Sequence, residues 1–205
     1  MSKARQSGKS GLEVFADTVK TASCQGPAPV HLWNPPDCGD IDMRIAADGT
    51  WFYHGSPIGR PALVKLFASI LKREGDKFYL VTPVEKCGIV VDDVPFMAVE
   101  LHVQEGDAGR ELRLRTNVGD WLTCGPGHPL RFEEEAATGG LKPYVHVRSG
   151  LWAKLTRPLW FELVELGEAR DIGGTETFGV VSAGEFYAMA PASSVEDVGS
   201  SRTLP

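Results

Sequence analysis

The chain has 205 residues, 42% hydrophobic and 23% charged, with a formal net charge of −6, which is the balance of an ordinary globular protein and not of a disordered or collagenous one. That charge excludes a broad basic field for extended nucleic acid, and because Lys3, Arg5 and Lys9 sit in the first ten residues, the body is more acidic than the whole. No apolar run approaches the roughly 20 residues that cross a bilayer, and no apolar stretch follows the N-terminal charges, so a cytoplasmic protein without membrane contact is expected.

Residues 1–10 and 191–205 are rich in Ser, Gly, Pro and charge, a composition that does not repay the entropy of ordering, and both are expected to be disordered. Leu12, Phe15, Ala16 and Val19 recur at helical spacing behind a capping box of Ser10 and Glu13, which predicts a helix over 11–20. The stretch 21–39 reads as an irregular loop around Trp33. Ile41, Met43 and Ile45 alternate with Asp42 and Arg44, Asp48-Gly49 supplies a turn, and Trp51, Phe52 and Tyr53 return, predicting a β-hairpin. Arg60-Pro61 then opens a helix to Arg73 on a stripe of Leu63, Leu66, Phe67, Ile70 and Leu71, closed by Gly75. From Lys77 to Gly125 the pattern stays extended between Pro, Gly and Asp-Asp turns, as in an antiparallel meander. Residues 125–142 read as a connecting loop holding a short strand near Leu130 to Phe132. PYVHVRSGLWAKLT predicts a second hairpin about Ser149-Gly150, Arg157-Pro158 opens a second helix, and TFGVVSAGEFYAMA a last hairpin about Ser182 to Gly184.

The order strand, Gly turn, strand, Arg-Pro, helix thus occurs twice. A duplication of this kind predicts an α+β protein of two related units, 11–81 and a mostly antiparallel unit 82–190, with a cleft between them where ligands often sit.

Candidate binding groups lie on loops and strand faces. Thr82-Pro83-Val84-Glu85-Lys86 gathers a hydroxyl, a carboxylate and an ammonium in one turn. Arg60 stands at a helix start, where free N–H groups also favour an anion. The two-residue period puts Arg113 and Arg115 on one strand face opposite Leu112, Leu114 and Thr116, and gives Tyr144, His146 and Arg148 a common face able to hold phosphate or stack on a base. Asn117 offers amide hydrogen bonds or an Asx-turn; Trp33 and Tyr144 offer stacking surfaces. For each, an ion pair, a turn or a solvated sheet face is the competing structural explanation.

Chemistry beyond binding finds little support. Asp92-Asp93 invites a metal or a shared proton, but adjacent strand residues point to opposite faces and a turn fits better. The histidines are scattered, and Cys24, Cys38, Cys87 and Cys124 form no C-x-x-C or zinc spacing, so free thiols in a reducing compartment are expected. There is no GxSxG, no P-loop and no GxGxxG after a strand. No catalytic residue, cofactor or metal is assigned.

The segment from Trp33 to Leu101, with WNPPDCGDIDMRIAADGTWFYHGSPIGRPALVKLFASIL and FYLVTPVEKCGIVVDDVPFMAVEL, resembles the bacterial family termed domain of unknown function 1285, and Arg115-Thr116-Asn117, PYVHVR and SAGEFYAM extend the resemblance to about residues 30–190. It implies two α+β units with a repeated core, the second like a pleckstrin-homology barrel, a cleft between them, and signalling through a nucleotide-like ligand. The expectation is therefore a regulatory protein that binds a small anionic ligand and passes its state to a protein partner. Arg60, Lys86, Arg115 and Arg148 would supply charge, Thr82, Thr116 and Asn117 hydrogen bonds, Trp33, Tyr144 and His146 contacts, and Glu85 would orient Lys86 or read a ribose hydroxyl. The alternatives are a hydrolase with a carboxylate or His base, marked by a raised carboxylate pKa, and a protein-interaction module, marked by an exposed aromatic patch of Trp33, Trp51 and Phe96.

Overall fold

The computed structural model describes residues 28–135 and 138–191; the helix expected over 11–20, both termini and Cys24 lie outside them. The chain divides into two compact units, one ending at Pro95 and the other starting at Phe96.

In the N-terminal unit, a 3₁₀ turn, Val30–Leu32, precedes β1 (Asp37–Ile45), which returns into β2 (Trp51–Tyr53) with Ile45 opposite Trp51. The hairpin is the expected one. Gly49 takes φ +82°, and the Asp48 carboxylate accepts the Thr50 N–H at 2.9 Å, local bonds that favour a turn at this point. β3 (Ser56–Pro57) leads to α1 (Pro61–Ser69), with Pro61 in its first turn. Leu63, Phe67 and Ala68 form its buried stripe, and Phe67 stacks on Trp51 with ring centroids 6.3 Å apart. Met43, Ile45, Ile70 and Leu80 complete this core.

The helix stops four residues short of the expected Arg73. Residues Leu71–Glu74 form β4, paired with β5 (Lys77–Val81) so that buried Leu71 faces Leu80 and Glu74 faces Lys77. Gly75, at φ +60°, therefore turns a hairpin and does not cap a helix; a two-residue turn with positive φ matches the strand twist. β6 (Lys86–Val91) inserts between β5 and β1, giving the order β3-β2-β1-β6-β5-β4, with β6 parallel to β1. Because β6 completes the first sheet, the boundary lies at 95/96 and not at 81/82, and the extended stretch is not one continuous meander.

The C-terminal unit starts with the antiparallel run β7 (Phe96–Gly106), β8 (Gly109–Thr116) and β9 (Trp121–Thr123). β10 (Leu130–Glu134) and the hairpin β11 (Leu141–Arg148) and β12 (Leu151–Leu155) complete a sheet of order β10-β11-β12-β7-β8-β9, in which β12 runs parallel to β7. Next come α2 (Arg157–Glu165) and a separate sheet of β13 (Glu168–Ile172), β14 (Thr175–Ser182) and β15 (Glu185–Pro191). β13 was not expected; all five of its residues are exposed, so it carries no alternating signal. The buried Ser182 fastens this sheet to β8 and β9. Its hydroxyl accepts the Leu112 N–H at 2.9 Å and donates to the Cys124 carbonyl at 2.7 Å. Among the described residues, no helix is long and apolar enough to cross a membrane.

Candidate ligand-binding site

The residues singled out in the N-terminal unit are largely committed to one another and to the backbone. Thr82 is fully buried; its hydroxyl accepts the N–H groups of Val84 and Glu85 and donates to the Glu85 carbonyl, so it builds the β5–β6 turn and presents nothing to a ligand. Lys86 does not answer to half-buried Glu85. Its ammonium, with 14% of the side chain exposed, reaches Glu74 on β4 at 2.7 Å and lies 4.6 Å from the centre of the Tyr79 ring. Lys72 joins the same carboxylate at 2.9 Å, and the hydrogen bonds from Lys86 and then Lys72 hold Glu74 below the usual carboxylate range. Trp33 is half-buried and its carbonyl accepts the Lys72 ammonium at 3.3 Å, while Arg60 is exposed at the N-cap of α1.

In the C-terminal unit the period-two reading of β8 describes the burial: Leu112, Leu114 and Thr116 face inward and Arg113 and Arg115 outward. Arg115 pairs with Glu100 through two nitrogens and lies with Arg113 over Trp121. Glu100 also meets His102 at 2.8 Å, and these bonds, His102 first, lower its pKa. Thr116 is buried, its hydroxyl accepting the Asp120 N–H at 3.0 Å. Asn117 makes no Asx-turn: its amide oxygen and N–H clasp the backbone of Met97 at 3.1 and 2.8 Å. Arg148 pairs with Asp120 at 3.3 Å above the Phe96 ring, and burial lowers its guanidinium pKa. Thr116, Asn117 and Arg148 thus do meet around one turn, but a carboxylate already occupies it.

Nor do Tyr144, His146 and Arg148 form an open row. A bulge follows His146, Tyr144 is buried beneath Arg131, and both imidazole nitrogens of His146 are engaged: Nε2 accepts the Gly150 N–H at 3.2 Å and Nδ1 donates to the Gly127 carbonyl at 3.3 Å. The aromatic patch expected of an interaction module is absent as well, since Trp51 and Phe96 are buried.

Among the described residues, the C-terminal unit also contains two cavities sharing Leu141, Trp160 and Phe161 as walls. One, of about 590 Å³, is walled further by Val164, Phe178 and Met189, with Glu134 as its charged group. The other, of about 510 Å³, is lined by Lys142, Lys154 and Arg157, with Glu135 as their counter-charge. Lys142 reaches Glu135 at 2.9 Å, and this bond, aided by the Thr138 hydroxyl and the field of Lys154, holds Glu135 below its usual range. Both volumes fall in the range of small-molecule sites. Sequence reasoning missed them because strand pairing brings the cations together; Tyr144 stands opposite Lys154 in the β11–β12 register. A signal was nevertheless present. In α2 the apolar residues Leu159, Trp160, Phe161, Leu163 and Val164 cover more than the one stripe a helix buries.

Among the described residues, groups for covalent or metal chemistry are not assembled. Desolvation pushes the thiols of Cys87 and Cys124 up to about 11 and about 12, and Asp92 is taken by Arg44. Among the described residues no three His, Cys, Asp or Glu groups converge as metal ligands.

These features define a two-domain, mostly antiparallel protein with few helices. Family models match it in two pieces that meet where the structure divides: the N-terminal domain of DUF1285, a domain of unknown function, over residues 28–94, and the DUF1285 C-terminal domain over 95–189. The chain belongs to the DUF1285 family. A crystal structure of a DUF1285 family protein from Silicibacter pomeroyi DSS-3 is 52% identical, with 91% of this chain and 98% of that one covered at a TM-score of 0.82. Another, from Shewanella baltica OS155, is 28% identical over 61% of this chain and 91% of that one, at a TM-score of 0.49. No curated protein matches the chain.

Proposed function

We propose that this protein binds a small organic anion in its C-terminal domain and serves a regulatory role by passing that occupancy to a protein partner. The observation that carries the reading is the convergence of Lys142, Lys154 and Arg157 on one cavity of a chain whose net charge is −6. A local positive field in an acidic protein selects anions by complementarity. Arg60, Lys86, Arg115 and Arg148 are replaced in this reading by the cavity cations. The raised pKa of the buried Cys87 and Cys124 thiols and the engaged ring of His146 favour binding over turnover, and the free cysteines suit a reducing cytoplasm. The hairpin-then-helix order, β1–β2 before α1 with the short β3 between them and β11–β12 directly before α2, favours descent of the domains from one duplicated unit, and in this reading the C-terminal domain is the more elaborated, pleckstrin-homology-like copy.

The test is thermal unfolding of the whole chain against AMP, cyclic dinucleotides, phosphorylated metabolites and carboxylates. A ligand at one hundred times its Kd stabilises by about 2.7 kcal/mol, roughly 5–10 °C for a chain of this size. The expected result is a selective shift that Lys154→Gln with Arg157→Gln abolishes and Lys86→Ala leaves in place. A flat panel, or loss of the shift in Lys86→Ala alone, overturns the reading.

A further inference from the structure

The two cavities share walls but differ in chemistry, and the difference specifies a ligand. Resting on the anion-binding reading above, we infer that the ligand is an amphipathic carboxylate, a free fatty-acid-like molecule whose head sits among Lys142, Lys154 and Arg157 and whose aliphatic chain runs past Trp160 and Phe161 into the apolar cavity. The cationic end brings Lys142, Lys154 and Arg157 onto one cavity wall, with Glu135, held by Lys142, as the carboxylate among its lining residues. Arg157 stands over the Phe161 ring at 5.7 Å and has no carboxylate partner among the described residues. A planar guanidinium of this kind takes a carboxylate through two nitrogens.

The other compartment rejects a charged head and fits a chain. Its walls are Leu141, Val164, Phe178 and Met189 with the two aromatics, and Glu134, its one charged side chain, repels an anion and so sets the orientation. A nucleobase needs convergent hydrogen-bonding side chains to be read, and this wall does not offer them. Phe161 is 53% exposed although it lines both cavities. An aromatic ring left in water at the mouth of an apolar cavity gains by covering a hydrocarbon chain.

The experiment titrates the full chain calorimetrically with butyrate, octanoate, decanoate and laurate below their micelle concentrations, with AMP, with dodecylamine, and with anionic phospholipid vesicles. A methylene that leaves water gains about 0.8 kcal/mol when fully buried, so affinity should rise by about two- to fourfold per methylene along the series. Lys154→Gln with Arg157→Gln should weaken laurate about tenfold or more, and Phe161→Ala, at an exposed site that folding tolerates, should flatten the dependence on chain length. Binding of AMP and butyrate as tight as that of laurate, still lost in the double variant, overturns this inference while the anion-binding reading stands. Absence of binding by every anion overturns both. Dodecylamine equal to laurate, or binding to vesicles alone, overturns the carboxylate assignment.

Discussion

Three cations displayed on the strand faces are already paired with carboxylates. Arg44 holds Asp92, Lys86 holds Glu74 and Arg115 holds Glu100. Such pairs near the surface contribute little individually, yet they neutralise the groups that looked most fit for a ligand. The thiols give a direct test of burial at this scale. Cys38 is exposed, whereas Cys87 and Cys124 are buried with raised pKa, and the thiolate is the reactive form. Alkylation at pH 8 followed by peptide mapping should find Cys38 modified rapidly and Cys87 and Cys124 protected until the protein is denatured. Alternation along a strand was enough to say which way Arg115 points, but not that Glu100, from a neighbouring strand, would meet it there.

Elements were legible where their signal is local. The β1–β2 hairpin followed from alternation and Asp48-Gly49, and α2 from Arg157-Pro158 and its leucines. The end of α1 was misread because Leu71 fits both the helical stripe and a strand facing Leu80, and only the pairing with β5 decides between them. The site was illegible for the same reason, being built where β11, β12, α2 and β14 converge. Two substitutions probe these elements. Phe67→Ala, at a fully buried ring stacked on Trp51, should cost about 3–5 kcal/mol, read as a lowered denaturation midpoint. Gly167→Ala would place a Cβ 2.2 Å from the Phe178 ring and 2.9 Å from the Val164 carbonyl. It should cost about 1–3 kcal/mol and, by displacing Phe178 from the cavity wall, weaken laurate binding in the same titration.

Across the whole molecule, paired carboxylates set the response to acid. Glu74, Glu100, Glu135 and Asp92 all have pKa values lowered by their partners in the folded state. The stability each adds is complete above its unfolded value and is lost as pH falls through the lower folded value. Urea midpoints should therefore hold from pH 7 to about 5 and fall below about 4.5, where the unfolded glutamates begin to take up protons. Glu100→Gln should shallow that fall, and an unchanged slope would deny the Glu100 pairs a part in it.

Each domain also fastens its opening strand to one that arrives much later: β1 lies beside β6, and β7 beside β12, both in parallel register. The pairings close loops of about 46–49 residues in the first domain and about 57 in the second, whose entropy must be spent before the contacts repay it. During synthesis neither sheet can be completed when its first hairpin emerges; β1 waits for Val91 and β7 for Leu155. In that interval each opening strand has an unsatisfied edge, the species that chaperones meet and that pairs wrongly between chains.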